Sequence, residues 1–535
     1  MQHGYAFKTN PVLEPLDHIE CRDALVSFIE HEETIECKEA AWPSATVVIG
    51  NPPFLGNKRM RKELGETYTA ALRNAYRGRV PGGADLVCYW FAKAKDQIET
   101  SGLGAAGLVA TNSIRSGANR EVLDTIVQTT RIFEAWSDEP WVNEGAAVRV
   151  SLVAFGGAHT TTKLNGIAVD GISSDLLVMQ TSEHIDGSER PVKLDANVGV
   201  SFQGAVLVGD FEITQQTAVE WLRLPNSHGQ PNSEVLKPLC NGRDINSRGR
   251  DMWVVDFNRR TKEQAMMFEK PFEYVEKTVK PQRADNTRRV RREQWWIHGE
   301  HGGGFRAAIA GHARYIATSQ VSKHRIFVWL PVAVCPHQTV IVFARSDDTT
   351  LGVLQSRIHE LWSLHMGSWM GKGNDPRYTP TTCFSTFPFP DGLAPNNGVA
   401  GIEATDDGVA IPRDLTKPGT RAHAIAIGQA AKTLVDRRDQ YLNPPEWTER
   451  VPGAVPVGRT VSPYPDRIIP KTGHDSDLQE RALTKLYNNK PAWLRGLHEA
   501  LDGAVASAYE WADYTPAMPD EEITERLLAL NLGVQ

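Results

Sequence analysis

The sequence predicts an α/β fold. It reads as an open, largely parallel sheet of the doubly wound kind, incomplete at its start, followed by a mixed α+β domain and C-terminal helices. Three observations predict it. Thr46-Val47-Val48-Ile49-Gly50-Asn51-Pro52-Pro53-Phe54 is a short β-branched run stopped by Gly and two prolines, the pattern of a buried strand ending in a rigid loop. From there to about residue 155, strand-like and helix-like segments alternate. From about residue 200 that alternation gives way to short strand-like runs set among polar, Gly-rich and basic stretches.

In chain order, residues 1–45 read as the tail of a domain. Leu16 to Leu25 reads as a short strand followed by a turn at Asp23. With Val47 to Ile49 following closely, these strands belong to the middle of a doubly wound sheet. Gly56 to Glu63 is a basic polar segment. Asp85 to about Thr100 is a mostly buried helix, ended by Gly102 to Gly104. Ala106 to Thr111 is a strand, 112–119 a loop, and Arg120 to Thr130 a helix. Ile132 to Trp136 and Val148 to Phe155 complete the sheet as an antiparallel hairpin at its end. Further strands are expected at Gly204 to Val208, Trp253 to Phe257, Ile326 to Leu330 and Val340 to Ala344, and a helix over Leu351 to Trp369. Residues 421–441 form a helix stopped by Asn443-Pro444-Pro445. A proline-rich connector runs to Pro470. One or two helices lie between Asp475 and Trp511, and another over Asp520 to Leu530. The expected regions are 1–165, 200–390 and 391–535.

A chain of 535 residues holds several domains. Its 41% hydrophobic and 23% charged composition is that of a soluble globular protein. The net charge of −7 means that nucleic-acid contact must come from local basic patches. The six cysteines form no CxxC pair, which argues against a zinc site and against a secreted disulfide framework, and no metal is expected. No apolar run approaches the roughly 20 residues of a membrane span, and the N-terminus lacks a signal-peptide core. The expected location is a prokaryotic cytoplasm.

Three motifs are set aside on context. Gly102-Leu103-Gly104-Ala105-Ala106-Gly107 fits GxGxxG, but it enters a strand where a dinucleotide loop must enter a helix. His301-Gly302-Gly303-Gly304 resembles an esterase oxyanion loop, yet no GxSxG elbow accompanies it, so it reads as a flexible loop. Asn443-Pro444-Pro445 follows a helix and lacks an aromatic. By contrast, Asn51-Pro52-Pro53-Phe54 follows an apolar strand and ends in an aromatic. The alternative is a tight turn whose Phe packs in the core. The residue types suit methylation of an exocyclic adenine amine. That amine is a poor nucleophile, and two acceptors, the Asn51 side-chain oxygen and the Pro52 carbonyl, draw it toward tetrahedral geometry. Proline keeps the loop rigid, and Phe54 offers a stacking face for a flipped base.

The chain resembles the adenine-N6 DNA methyltransferases of the MmeI-like restriction–modification group, which are similar to the large methylases of BREX and DISARM phage defence. The resemblance rests on Asn51 to Arg61, Ala84 to Phe91, Leu108 to Arg115 and Ala147 to Ser151. It continues through Asn241 to Ile245, Tyr378-Thr379-Pro380 and Phe387 to Pro390 to the Ala492–Trp511 region. It implies a Rossmann-like methyltransferase sheet followed by a target-recognition domain, with S-adenosylmethionine as cofactor and double-stranded DNA as partner. Asn51, Pro52, Pro53 and Phe54 would be catalytic, and Asp23 would face the cofactor's adenine. A plain turn residue is the alternative for Asp23. Lys58, Arg59 and Arg61 would touch DNA phosphates, with a solvated basic face as the alternative. In the recognition domain Lys280, Arg283, Arg288, Arg289, Arg291 and Arg292 precede Trp295-Trp296 and His298, and suit phosphate contact or guanine reading. The aromatics there can equally pack the domain. Ser322 to Arg325 and Lys372 to Tyr378 are weaker candidates.

One departure qualifies the expectation. The family's Asp-Pro-Ala-Cys-Gly-Ser-Gly-like loop and its ribose-binding acid are absent upstream of Asp23, and no permuted copy follows. The reading is therefore the C-terminal part of an adenine-N6 methyltransferase: one half of a split enzyme whose cofactor half is a second polypeptide, the product of a degraded gene, or a product with a misassigned start. The alternative is a non-catalytic DNA-binding fragment or subunit of a split methylase. An esterase-like hydrolase is a third reading, disfavoured by the missing elbow. No PD-(D/E)xK nuclease motif is present, so cleavage is not expected.

Overall fold

The computed structural model describes residues 19–30, 35–143, 146–157, 161–176, 191–370, 375–395, 401–413, 415 and 417–533. The chain forms two compact units, Met1–Glu183 and His184–Gln535.

The first unit opens with an antiparallel hairpin, β1 (Val26–Glu30) and β2 (Ile35–Glu39), which is separate from the main sheet. The main sheet contains β3 (Val47–Gly50), β4 (Ala105–Thr111), β5 (Arg131–Asn143), β6 (Ala146–Gly156), β7 (Thr162–Leu164) and β8 (Ile167–Val169). Their spatial order is β3-β4-β6-β5-β7-β8. β3 and β4 are parallel, with Val47 opposite Ala105. β6 runs antiparallel to both β4 and β5, so β3, β4 and β5 share one direction. Four helices accompany the sheet: α1 (Asn57–Leu64), α2 (Glu66–Ala75), α3 (Cys88–Thr100) and α4 (Gly117–Thr129).

Strand alternation decides which side chains face the helices. Ala106, Leu108 and Ala110 of β4 and Val153 and Phe155 of β6 are buried, and they share a core with Phe91, Leu123 and Ile126 from α3 and α4. The Phe91 ring stacks on Phe155 with centroids 5.8 Å apart. On the other face, at the sheet edge, Val47 is 56% and Ile49 83% exposed.

The start of the unit differs from the expectation. Leu16 to His18 lie outside the described residues, and Ile19 to Arg22 form no strand. Asp23 Oδ1 accepts from the backbone N–H of Leu25 at 2.8 Å and of Val26 at 2.9 Å. The turn therefore leads directly into β1. Gly56 to Glu63 is not an irregular segment: from Asn57 on it is α1, whose one buried residue is Met60. The expected terminal hairpin lies inside the sheet, since β6 inserts between β4 and β5 and the unforeseen pair β7–β8 forms the far end.

The second unit holds two four-stranded sheets. One is ordered Glu212–Thr214, Met252–Val255, Leu236–Cys240, Cys335–Pro336. The other is ordered Phe327–Pro331, Arg314–Ser319, Val340–Phe343, Ser201–Gln203. The helix expected over Leu351 to Trp369 is two helices, Asp348–Gln355 and Arg357–Met366. Ser356 separates them: it is extended, and its hydroxyl caps the second by accepting from His359 N–H at 3.3 Å. Gly352 allows the first of these helices to approach Thr420–Leu442, for a Cβ there would lie 2.5 Å from Ile427 Cγ2. The stretch read as a connector carries a strand pair, Thr448–Val451 with Arg467–Pro470. Helices Leu483–Asn489, Ala492–Ala508 and Asp520–Leu532 share one core with Val353, Trp362 and Phe387, so residues 391–535 are continuous in packing with those before them.

Candidate functional site

The carboxyl ends of parallel strands are where open α/β sheets present chemistry. β3 ends there in Asn51-Pro52-Pro53-Phe54. Asn51 is exposed, and its side chain makes no hydrogen bond among the described residues, whereas Pro52 is buried and Phe54 half-buried. The loop is held from behind. Leu55 N–H donates to the Pro53 carbonyl at 3.1 Å, and the Leu55 carbonyl accepts from Leu86 N–H at 2.9 Å.

Asp85 fastens this corner. One carboxylate oxygen accepts from Asn57 N–H at 2.8 Å. The other accepts from Ser113 Oγ at 3.0 Å and from Asn119 Nδ2 at 2.8 Å. Asn119 Oδ1 in turn accepts from Asp85 N–H at 2.8 Å. One carboxylate thus ties the start of α1, the exit of β4 and the first turn of α4 together. Arg73 adds a further tie by donating to Asn57 Oδ1 at 2.5 Å.

A second polar group lies along the same sheet end. β5 has an irregular register between Trp136 and Glu139, which re-aims Ser137 and Asp138. Asp138 accepts from the Asn112 amide and from Arg149 Nε, the latter at 2.6 Å. Ser151 Oγ donates to Asn112 Oδ1 at 3.0 Å. Burial pulls the Asp138 carboxyl upward, but hydrogen bonds from Arg149 and Asn112 and the charges of Arg149 and Arg115 hold it below the usual aspartate range. Burial lowers the pKa of Arg115, and its buried Nε has no hydrogen-bond partner among the described residues.

This unit matches a known family over residues 5–165, described as MmeI, DNA-methyltransferase domain. The domain is MmeI-like. A solved structure of the type IIL restriction–modification enzyme MmeI in complex with DNA matches 91% of the chain with a TM-score of 0.64 at 17% identity. At that identity the match speaks for the fold. The chain spans 57% of that protein's length. The type IIG restriction endonuclease BpuSI aligns over 88% of this chain and 55% of its own at 8% identity, with a TM-score of 0.23, too low to carry an argument. No curated protein sequence matches the chain.

Within the MmeI-like domain, Asp23 is exposed but engaged. Beyond its two backbone donors, its Oδ2 accepts from Tyr68 Oη at 2.7 Å. Lys58, Arg59 and Arg61 stand exposed on α1, directly after the Asn51 loop. Arg59 pairs with Glu63 at 3.0 Å and Arg61 with Glu66 at 3.7 Å, while Lys58 has no partner among the described residues.

In the second unit the basic run divides by role. Arg283 is buried and donates to the carbonyls of Leu207, Val208 and Ile297, each at 2.7 Å, so it is a structural brace. Burial pushes its pKa down to about 10. Lys280 pairs with Glu276 at 2.8 Å. Arg289, Arg291 and Arg292 belong to the short helix Arg289–Glu293, which Arg288 precedes. Arg288, Arg289 and Arg292 are exposed; Arg289 pairs with Glu293 at 2.7 Å, and Arg292 donates to the Asn286 carbonyl at 2.8 Å. Arg291, 17% exposed, reaches Glu300 at 3.4 Å, and Arg288 reaches the same carboxylate at 3.8 Å. Trp295 is buried, and Trp296 Nε1 donates to the Arg260 carbonyl at 3.0 Å. Of the weaker candidates, Arg325 and Tyr378 are buried, Lys323 and His324 bond Asn488, and Lys372 to Asn374 lie outside the described residues.

Sequence reasoning gave no role to Asp85, Asn112, Ser113, Asn119, Asp138, Arg149 or Ser151. Their signal was position: several fall in the stretches that carry the family resemblance, at strand exits where polar residues are otherwise costly to bury.

Proposed function

We propose that the chain is the base-accepting and DNA-recognising part of an S-adenosylmethionine-dependent DNA methyltransferase. It modifies N6 of adenine in duplex DNA, in restriction–modification or phage defence. The observation that carries this reading is Asn51. It is an exposed amide without a hydrogen-bond partner among the described residues, at the carboxyl end of a parallel strand, on a loop braced by Asp85. In this reading the Asn51 side-chain oxygen and the Pro52 carbonyl accept the two amine hydrogens of an extruded adenine, and Phe54 stacks on its ring. These contacts offset a flipping cost of a few kcal/mol. Rigidity matters because acceptors already in place need no reorganisation as charge develops on the amine.

The cofactor supplies an electrophilic methyl group when bound. Of the described residues of this unit, Asp23 fits one edge of it, since its carboxylate is exposed and has acceptor capacity left beyond its three donors. No glycine-rich loop joins a strand to a helix among the described residues, so the methionine and ribose ends have no cradle there. We assign that cradle to further polypeptide, supplied in the same or a separate chain. The outer edge of β3 pairs with no described strand, and Val47 and Ile49 are exposed beside it, which supports this edge as the junction. The same lack of a cradle favours a second reading, a non-catalytic DNA-binding subunit.

Calorimetric titration of S-adenosylmethionine into the chain, alone and together with the product of the adjacent upstream reading frame, separates the two. Binding only in the combined sample supports the methylase; binding in neither sinks it. In the competent assembly, Asn51→Ala is expected to abolish N6-methyladenine while DNA binding persists. Unchanged methylation would refute the role of Asn51.

A further inference from the structure

The His301-Gly302-Gly303-Gly304 segment is not a loose loop. It leads into the short helix Gly303–Ala308, and each glycine answers a close contact. Gly302 is left-handed with φ 68°, and a Cβ there would fall 1.9 Å from Phe305 Cε1. At Gly303 it would lie 2.9 Å from His301 Nε2 and 3.1 Å from Arg259 Nη2; at Gly304, 3.1 Å from Phe202. The backbone closes on His301 and Arg259 because it carries no side chains.

A chain of contacts ends at Arg259. Asp256, 3% exposed, holds Arg306 Nη2 at 2.8 Å. Arg306 Nε donates to the His301 carbonyl at 2.7 Å. His301 Nε2 then accepts from Arg259 Nε at 2.7 Å, which requires a neutral ring protonated on Nδ1. Burial, together with the charges of Arg259 and Arg306, keeps His301 below the usual histidine range and so preserves that acceptor. Arg259 is exposed, and its two terminal nitrogens have no hydrogen-bond partner among the described residues. It lines an open concavity of about 670 Å³, together with Lys262, Glu293, Gln294, Trp296 and His301. Glu293 and Gln294 make that concavity continuous with the basic helix Arg289–Glu293.

Phosphate contacts need charge, and a flexible lysine provides it. A guanidinium locked through Nε, with both terminal N–H groups presented together in a mixed polar and aromatic recess, is built for geometry. We infer that Arg259 is a specificity-determining residue whose terminal nitrogens donate to O6 and N7 of a guanine in the major groove, with His301 as its positioning residue. The inference rests on reading the second unit as a DNA-recognition domain.

The test uses the full chain and a pool of randomised duplexes, selected by binding and sequenced, with affinities for the selected site measured over a salt series. The wild type should select a motif containing a fixed guanine. Arg259→Ala should lose preference at that one position, about tenfold to a hundredfold, with the rest of the motif and the salt slope unchanged. Arg259→Lys should not restore it, and His301→Ala should relax the same position by less. Uniform weakening across all sequences, with a salt slope lower by about one, would mean a phosphate contact and overturn the inference. So would an unaltered motif in Arg259→Ala. A wild type that binds duplexes without preference overturns base reading alone, whereas a wild type that binds no DNA overturns the recognition-domain reading beneath it.

Discussion

β3 and the strand Val340–Phe343 are both four-residue, β-branched and hydrogen-bonded into a sheet. Their surroundings differ. Val340, Ile341, Val342 and Phe343 are all fully buried in the middle of their sheet, between Arg314–Ser319 and Ser201–Gln203. β3 is at the end of its sheet, with Val47 and Ile49 exposed. The central strand is finished structure: both its edges and both its faces are occupied. Among the described residues β3 has one unpaired edge and one exposed face, and its loop carries the residues proposed to accept the adenine. The one strand is closed on every side, whereas the other keeps an edge that no described strand pairs.

The contrast can be broken at several points. The largest expected effect is in the closed core. Phe343→Ala empties a site ringed by Phe327, Tyr378 and Phe384, at centroid distances of 5.6, 5.7 and 5.1 Å. It should cost about 3–5 kcal/mol of the second unit's stability in denaturant unfolding, with the units resolved by hydrogen exchange.

Next comes opposite behaviour with pH. Asp502, buried and accepting from Arg357 N–H at 2.7 Å, is pushed up to about 7, first by burial and further by Glu360. Its folded pKa is raised, so the folded state binds the proton more tightly. Stability of the second unit should therefore fall as pH rises from about 4 to about 7, by up to a few kcal/mol. Asp138 is shifted the other way, so its contribution to the first unit is present at neutral pH and lost as pH falls through its lowered folded value. Asp502→Asn should flatten the first response and Asp138→Asn the second. A common pH dependence of both units, insensitive to either change, would contradict the contrast.

Asp85→Ala should cost roughly 2 kcal/mol, because Asn57 N–H, Ser113 and Asn119 lose their shared acceptor. It should also lower methylation in the competent assembly without touching Asn51. The smallest effect on stability is expected at the open edge. Ile49→Lys should change unfolding by no more than about 0.5 kcal/mol. Where the proposed cofactor half is a separate polypeptide, it should nevertheless weaken capture of that polypeptide, measured by co-purification. A large loss of stability instead would mean that β3 is already covered.

The sheet strands near Val47, Ala106 and Val153 were legible because apolar runs bounded by glycine and proline have few other homes, but β3 is an exposed strand at the end of the described sheet where a buried strand in its middle was expected, since composition alone does not tell how many neighbours a strand has. So was the helix through Phe91, buried almost all round. The helix Asn57–Leu64 was not, since it buries only Met60 and has no side-chain cap. In the candidate site, Asn51 and Phe54 stood out as a contiguous motif. Asp85 could not, because its partners are 28 and 34 residues away and only folding brings them together. The basic run misled for a related reason. Its charges are close in the chain, but Arg283 turns inward to backbone carbonyls while Arg288, Arg289 and Arg292 face solvent. Arg259, isolated from that run, drew no notice because what distinguishes it is the His301 acceptor, 42 residues later.

The bare edge of β3 also has a consequence for handling. A short β-branched strand whose outer edge pairs with no described strand, and which has two exposed apolar side chains, is a template for another copy of itself. Concentrated alone, the chain should self-associate edge to edge, and its solubility should rise when the edge is occupied. Yield and polydispersity during purification would then report whether the polypeptide proposed to complete the cofactor site is present.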